Sequence, residues 1–174
     1  MSVTHIVLLG PMGAGKTTLG LALAAQLEVD LVDSDEGIRD LTGQHAAEIA
    51  TAMGVHELHA LERSLVSAAL SSPSRKVIAA AASVVDDEAT RLQMGRHLCL
   101  WIEADATTLA KRRGSAAHRR SMTDEEAEEL NRVRRLSVAD LVIGIVNTTH
   151  STAKQAAAVA MDILAEHITP STSQ

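Results

Sequence analysis

The fold of this 174-residue chain is decided by residues 10–17, which read Gly10-Pro11-Met12-Gly13-Ala14-Gly15-Lys16-Thr17. The stretch matches every specified position of the phosphate-binding pattern G-x-x-x-x-G-K-[ST]. Glycines let the backbone curl so that several N–H groups point at phosphate oxygens, and the following helix adds the positive end of its dipole. The lysine supplies a cation for the phosphates, and the threonine hydroxyl can ligate Mg²⁺. The motif predicts binding of a nucleoside triphosphate, but kinases, GTPases, ATPases and transporters share it.

Short apolar runs alternate with helical stretches along the rest of the chain. The run Ile6–Leu9 ends at the first glycine of the motif and is typical of a buried strand. Further strands are predicted at 31–32, 77–78, 98–102 and 141–146. Helices are predicted over 17–27, 36–70 (with breaks near 42–43 and 54), 86–95, 105–113, 123–138 and 151–166. We therefore predict an α/β fold in which a five-stranded, mostly parallel sheet is flanked by helices, as one domain spanning 1–174.

The composition argues against several classes of function. The chain has 16 basic and 22 acidic residues and a net charge of −6, so it lacks the positive field that nucleic-acid binding requires. No apolar run approaches the roughly 20 residues of a membrane helix, and the amino terminus lacks a basic signal-peptide region. The one cysteine, Cys99, falls in a predicted strand and is expected to be a packed core thiol. We expect a cytoplasmic protein, with a monomer as the default state.

Two carboxylates, Asp33 and Asp35, follow the second predicted strand. Ligands of open parallel sheets bind beyond the carboxyl ends of the strands, so we expect both carboxylates near the phosphates. One can hold hydrated Mg²⁺, while the other can orient or deprotonate an acceptor hydroxyl. Alternatively, Asp35 caps a helix that begins at Glu36, a role that is compatible with catalysis.

The chain resembles the shikimate kinase family. Beside the phosphate-binding loop, the resemblance is carried by landmarks that follow the family pattern without a gap from residue 31 to residue 62. They are Asp33-Ser34-Asp35 with Ile38, Thr42-Gly43, Glu48-Ile49, and Gly54 with Glu57 and Glu62. The resemblance implies a P-loop NTPase fold of the nucleoside-monophosphate-kinase type, with an acceptor-binding helical segment at about 34–62 and a short lid at about 113–124. It also implies ATP and Mg²⁺ as cofactors, and transfer of the γ-phosphoryl group to a hydroxyl of shikimate.

The family's functional roles carry over to the matching positions. Lys16, Asp35 and Arg119 are the implied catalytic residues: Lys16 binds phosphate, Asp35 is the partner and base of the acceptor hydroxyl, and Arg119 falls where the lid places an arginine. Thr17 and Asp33 would hold Mg²⁺, Asp33 through water. Arg112 falls where an arginine covers the adenine. The implied nucleotide-binding set is Gly13, Ala14, Gly15, Lys16, Thr17, Thr18 and Arg112.

The acceptor half of the implied site departs from the family pattern. His59 stands where the family has an arginine for the shikimate carboxylate, and an imidazole offers a weaker, pH-dependent charge. Ala81 and Ala82 fall within a stretch that is three consecutive glycines in the family, so we expect their methyl groups to fill space beside the acceptor. A second family arginine precedes a Pro-x-Tyr that this chain lacks. The candidates to replace it are Arg132, Arg134 and Arg135, and the sequence does not choose among them.

These observations leave more than one functional hypothesis open. The first is an ATP- and Mg²⁺-dependent small-molecule kinase of shikimate kinase type, with Asp35, His59, Ala81 and Ala82 at the substrate. Its acceptor is shikimate, as the family implies, or another small hydroxylated metabolite. The second is a nucleotide-binding protein without kinase activity. A nucleoside monophosphate kinase is disfavoured, because the acceptor segment lacks the several arginines that a phosphate-bearing acceptor requires.

A metal site at His56 and His59 is the weaker interpretation of that helix. Both histidines are predicted to share a helix with Glu57 and Glu62, but His-x-x-His is not by itself a zinc-binding spacing. A contact between His59 and the acceptor is the better hypothesis.

Overall fold

The computed structural model describes residues 4–113 and 123–167. Its strands are β1 (Ile6–Leu9), β2 (Asp30–Asp33), β3 (Lys76–Ala79), β4 (Leu98–Glu103) and β5 (Val142–Asn147). They form one five-stranded sheet in the order β2-β3-β1-β4-β5, and every pair of neighbours is parallel. The predicted α/β fold with a five-stranded sheet is therefore confirmed, and the sheet is parallel throughout.

Helices connect the strands, as parallel pairing requires. Within the described residues they are α1 (Lys16–Leu27), α2 (Ser34–Thr42), α3 (Ala46–Ala52), α4 (Val55–Leu70), α5 (Glu88–Met94), α6 (Ala106–Arg113), α7 (Asp124–Ser137) and α8 (Ala153–His167). A 3₁₀ helix, Ala82–Asp86, follows β3. The predicted breaks near residues 43 and 54 separate α2, α3 and α4, where Gly43 and Gly54 both have positive φ.

The core lies on both faces of the sheet, with β1 at its centre. All four residues of β1 are fully buried, and successive side chains of a strand point to opposite faces. Ile6 and Leu8 accordingly join the core on the face covered by α1 and α8. Val7 and Leu9 join the core on the face covered by α4 and the 3₁₀ helix. Burial on both faces explains why β1 is a continuous apolar run.

Close approach of backbones compensates for the lack of large aromatic side chains. The chain has no Phe or Tyr, and its one Trp, Trp101, is buried in β4. Helix α8 contributes three buried alanines and lies so near β5 that a Cβ on Gly144 would stand 2.6 Å from a methyl carbon of Ile163. Small residues thus bring helix and sheet together at contact distance, which maintains the packing density of the core.

Two features at the carboxyl ends of β2 and β3 differ from the sequence prediction. Helix α2 begins at Ser34, and its N-cap is Asp33, whose Oδ1 accepts hydrogen bonds from the N–H groups of Asp35 (2.9 Å) and Glu36 (3.2 Å). The alternative role of Asp35 as the cap is therefore wrong, because the helix starts two residues earlier than predicted. The 3₁₀ helix after β3 was also not predicted, because five residues are too few to produce a recognisable apolar period.

Candidate active site

The phosphate-binding loop joins β1 to α1 and is shaped by its glycines. Gly10 has a φ of +140°, and a Cβ there would lie 2.0 Å from the carbonyl oxygen of Ile102 in β4. Gly15, the N-cap of α1, has a φ of +91°, in the left-handed region that L-residues with side chains rarely adopt. The loop therefore takes its path only because glycines stand at these positions. The backbone of Gly13, Ala14 and Gly15 leads directly into the N-terminus of α1, the end of a helix that favours anions.

Lys16, the first residue of α1, folds back over the loop. Its Nζ donates to the carbonyl oxygens of Gly10 (2.8 Å) and Pro11 (3.0 Å). Burial lowers the pKa of Lys16 to about 8, against the opposing effect of Asp35 and Asp33. The ammonium is therefore still mainly protonated at neutral pH, beside the predicted phosphate position.

Thr17 and Asp33 bring the loop and the end of β2 together. The Thr17 hydroxyl donates to Oδ2 of Asp33 over 2.6 Å, while the other carboxylate oxygen of Asp33 caps α2. A hydroxyl and a carboxylate are the oxygen donors that Mg²⁺ prefers, so this pair fits the predicted metal-binding role. Thr18, the next residue of α1, is exposed.

Asp35 lies in the first turn of α2, next to this pair. Loss of solvation raises the pKa of its carboxyl group, the neighbouring Asp33 raises it further, and Lys16 lowers it. Both carboxylates predicted from the end of β2 are thus coupled electrostatically to Lys16.

Arg112 and Thr148 form the other side of the loop. Arg112 donates from Nη1 to Oγ1 of Thr148 (2.9 Å) and to the carbonyl oxygen of Gly13 (3.3 Å), and from Nη2 to the carbonyl oxygen of Thr148 (2.8 Å). The Thr148 hydroxyl in turn donates to the carbonyl oxygen of Ala14 over 2.7 Å. Thr148 was missed by the sequence reasoning, although its place directly after β5, at the carboxyl edge of the sheet, was a usable signal.

A buried polar pair lies on the predicted acceptor side. Glu62 of α4 accepts a short hydrogen bond from the hydroxyl of Ser83 in the 3₁₀ helix, and both residues are buried. Burial raises the pKa of Glu62, while the bond from Ser83 lowers it. Asp35, Arg134 and Lys16 also influence Glu62 electrostatically, so the pair belongs to the same array of charges as the phosphate side. Ser83 was not predicted as a site residue.

Ala81 and Ala82 pass this region without backbone strain. Ala81 has a φ of −59°, and among the described residues Glu28 alone combines a side chain with a positive φ. Both alanines are partly exposed. A glycine-like backbone path is therefore absent from this stretch, which follows an ordinary path and turns into the 3₁₀ helix.

The three candidate arginines of α7 have three different partners. Arg132 pairs with Glu129 on the exposed surface (2.7 Å), Arg135 with Glu103 (3.1 Å), and Arg134 with Asp86 of the 3₁₀ helix (2.5 Å). Arg134 has the least exposed side chain of the three, with 12% of it accessible. It also contributes to lowering the pKa of His59, after the larger effect of burial. Of the three, Arg134 is therefore the one that faces the predicted acceptor side.

A separate cleft of about 550 Å³ opens where β4 ends, between α6 and α7. Among the residues that line it are Pro11, Trp101, Glu103, Asn131, Arg132 and Arg135. Arg134 is not in its lining, so α7 presents its arginines to two different regions.

Some expectations fall on parts of the chain that the structure does not cover. Arg119 and nearly all of the lid predicted at 113–124 lie outside the described residues. Within 4–113 and 123–167, no three side chains of His, Cys, Asp or Glu gather as a metal site, and His56 pairs with Glu57 instead. Over the same ranges, none of the helices has the length and apolar character needed to cross a membrane. Cys99 is buried, as predicted, and burial raises its pKa to about 12.

The parallel sheet, the glycine-rich loop and the carboxylates after β2 define a P-loop protein with the fold of shikimate and nucleoside kinases. A family model described as shikimate kinase matches residues 12–166, and the chain belongs to that family. The shikimate kinase of Streptomyces coelicolor is 31% identical over 165 residues, which cover 93% of this chain and 96% of that protein.

Other relatives match over a shorter stretch. The shikimate kinase of Thermobifida fusca is 39% identical over 108 residues, and that of Zymomonas mobilis is 34% identical over 107. The aligned part of this chain spans 62% and 61% of those two proteins. Among solved structures, the shikimate kinase of Acinetobacter baumannii in complex with shikimate superposes with a TM-score of 0.83 at 22% identity, covering 97% of each chain. At that identity the superposition supports the fold.

Proposed function

We propose that this chain is an ATP- and Mg²⁺-dependent kinase that transfers the γ-phosphoryl group to a hydroxyl of a small molecule, as a cytoplasmic, single-domain monomer. The observation that carries the proposal is the hydrogen bond between Thr17 and Asp33. It joins the phosphate-binding loop to the end of β2 and so brings a magnesium-binding pair next to Lys16 and Asp35. Binding of a triphosphate alone would not require an acidic group at the position of Asp35.

The phosphate side supplies binding and charge stabilisation. Backbone N–H groups at the start of α1 and the ammonium of Lys16 would hold the phosphates. Arg112, which Thr148 fixes against the loop, would cover the adenine. Mg²⁺, when bound by Thr17 and by Asp33 through water, would neutralise charge on the phosphates. Arg119 of the lid would add positive charge at the transferring group, as the family resemblance implies.

The acceptor side supplies the base. Asp35 would accept the proton of the attacking hydroxyl, and its raised pKa makes it a stronger base than an ordinary aspartate. His59, Ala81 and Ala82 would border the acceptor. The acceptor that family membership implies is shikimate, which the Acinetobacter baumannii enzyme binds in its solved structure.

The test is release of ADP from ATP and Mg²⁺, with and without millimolar shikimate and with a panel of cyclitols, sugar acids and other polyols. Lys16→Ala serves as the blank, and the exposed Lys154→Ala in α8 is the matched control for loss of a lysine charge. Release stimulated by an acceptor in the wild type and in Lys154→Ala, but not in Lys16→Ala, supports the proposal. If no acceptor stimulates release while ATP still binds, the kinase proposal is wrong.

That second outcome would support a nucleotide-binding protein without transfer activity. The contact between Ser83 and Glu62 favours this candidate, because it fixes a carboxylate on the acceptor side to the protein's own hydroxyl. Binding of ADP that is equal in the wild type and in Asp35→Asn, without turnover in either, would identify it.

A further inference from the structure

Arg134 of α7 is held by a two-point ion pair with Asp86. Its Nε donates to Oδ1 over 2.9 Å, and its Nη2 donates to Oδ2 over 2.5 Å. This pairing uses the planar fork formed by Nε and Nη2, which binds both oxygens of one carboxylate. The Arg134 side chain is largely buried, whereas 46% of the Asp86 side chain is exposed. The Nε/Nη2 edge of the guanidinium is thus already in use.

The 3₁₀ helix places this ion pair on the predicted acceptor side. Side chains three residues apart in a 3₁₀ helix lie over one another, so Ser83 and Asp86 leave Ala82–Asp86 on the same face. Ser83 bonds Glu62 and Asp86 bonds Arg134. Glu62 lies within electrostatic reach of Asp35 and Lys16, so these contacts form one continuous array that extends to the phosphate-binding loop.

The protein's own groups on the predicted acceptor side carry an excess of negative charge. The described residues of this array include four carboxyl groups, Asp33, Asp35, Glu62 and Asp86, and two fixed cations, Lys16 and Arg134. Arg63 acts electrostatically on His59, as Arg134 does, and it also acts on the carboxylate of Asp87. A ligand carboxylate at Arg134 would have to displace Asp86 or bind beside it, and in either case it would lie next to the negative charge of Asp86. A neutral ligand would add no charge to be compensated.

We propose that Asp86 is a specificity-determining residue that occupies the anion-binding fork of Arg134, and that the phosphoryl acceptor is a neutral polyhydroxylated molecule. This inference rests on the proposed kinase function. It narrows the acceptor class, because hydroxyl groups can bond Asp86, Glu62 and Arg134 without breaking the ion pair, whereas an acid or a phosphate would bring a second negative charge next to Asp86.

Shikimate and its methyl ester are matched probes, because they carry the same hydroxyls and differ in the charge of one group. Their dissociation constants are measured by calorimetry in the presence of ADP and Mg²⁺. We expect the wild type to bind the ester more tightly, on the order of tenfold. Asp86→Asn, with Asp86→Ala as a second variant, should reverse the order because Arg134 becomes available to the carboxylate.

Two further variants distinguish this effect from a general loss of charge. Asp87→Asn removes the neighbouring carboxylate, which caps α5 and does not pair with Arg134, and should retain the wild-type preference. Asp86→Asn combined with Arg134→Gln should lose the gain in shikimate binding. The inference is overturned if shikimate binds the wild type as tightly as its ester does, or if Asp86→Asn leaves the ratio unchanged. Failure of both probes to bind any variant would overturn it too.

Binding and transfer are read separately, so the two proposals can fail independently. A preference for the ester that reverses in Asp86→Asn, without ADP release for any acceptor, supports the role of Asp86 and rejects the kinase function. ADP release stimulated equally by shikimate and its ester would support the kinase function and reject the role of Asp86.

Discussion

Ser83 donates a hydrogen bond to Oε2 of Glu62, and this buried contact joins the 3₁₀ helix to α4. Glu62 is 6% exposed and Ser83 is 5% exposed, so neither can exchange its partner freely for water. The bond favours the ionised carboxylate, whereas burial disfavours it. The contact therefore links the proposed acceptor side to the stability of the fold.

Ser83→Ala is expected to destabilise the protein in a pH-dependent way. The pKa of Glu62 is raised on folding, so its contribution is fully present below the ordinary value of 4.5 and is lost as pH rises through the folded pKa. Loss of the Ser83 bond raises that pKa further, so we expect a cost of about 1–3 kcal/mol at pH 7 and a smaller cost at pH 4. Urea unfolding at both pH values measures it, with the exposed Ser74→Ala as control. Equal costs at the two pH values would contradict the prediction.

Asp33 caps α2 and, in the proposed function, helps to hold Mg²⁺, and two substitutions should separate these roles. Asp33→Asn keeps an oxygen for the N–H groups of Asp35 and Glu36 but removes the charge beside Thr17. We expect a near-normal unfolding free energy. We also expect the factor by which Mg²⁺ tightens ATP binding to fall on the order of tenfold. Asp33→Ala should also lose about 1 kcal/mol of stability with the helix cap. Denaturation and Mg²⁺ titrations test this, with the exposed Asp140→Asn as control. Full Mg²⁺ dependence in Asp33→Asn would reject the metal-binding role.

The parts of the site that were predictable are those encoded locally. The loop glycines, Lys16 and Thr17 form one motif, and Asp33 follows an apolar strand, so their proximity follows from parallel-sheet topology. The contact of Ser83 with Glu62 joins residues 21 positions apart, and no local pattern marks it.

The choice among the arginines of α7 could not be predicted for a related reason. Adjacent helical positions point in different directions, so the rotation of the packed helix decides which arginine meets Asp86. That rotation depends on how α7 packs against the 3₁₀ helix, which the sequence pattern did not predict. Thr148 was overlooked because its partner, Arg112 of α6, lies 36 positions away, and no local pattern marks that contact.

Thr148→Val should weaken nucleotide binding. The substitution keeps the shape of the side chain but removes the hydroxyl that donates to Ala14 and accepts from Arg112. The carbonyl group of Ala14 then loses this bond, and Arg112 loses one of its anchors, so we expect the Kd for ADP to rise on the order of tenfold. Calorimetry measures the Kd, and Thr148→Ser, which retains the hydroxyl, should bind ADP like the wild type. Unchanged binding in Thr148→Val would show that Arg112 does not need this support.

His5 should make the stability of the protein fall as pH decreases from 6.5 toward the folded pKa of its ring. The residue is fully buried at the start of β1, where Nδ1 accepts from the N–H of Lys76 (3.2 Å) and Nε2 lies 3.1 Å from the carbonyl oxygen of Leu70. Both contacts are satisfied by the neutral ring that carries its proton on Nε2. Burial lowers the pKa of His5 in the folded state, as it does for the adjacent His97.

The stability that neutral His5 contributes is therefore complete above pH 6.5 and is lost as pH falls toward the folded pKa, by up to about 1.4 kcal/mol per pH unit for each proton taken up. Unfolding free energies measured across this range should fall less steeply in His5→Gln than in the wild type, whereas the exposed His150→Gln should keep the wild-type slope. If His5→Gln and the wild type show the same slope, the buried imidazole is not the group that takes up the proton.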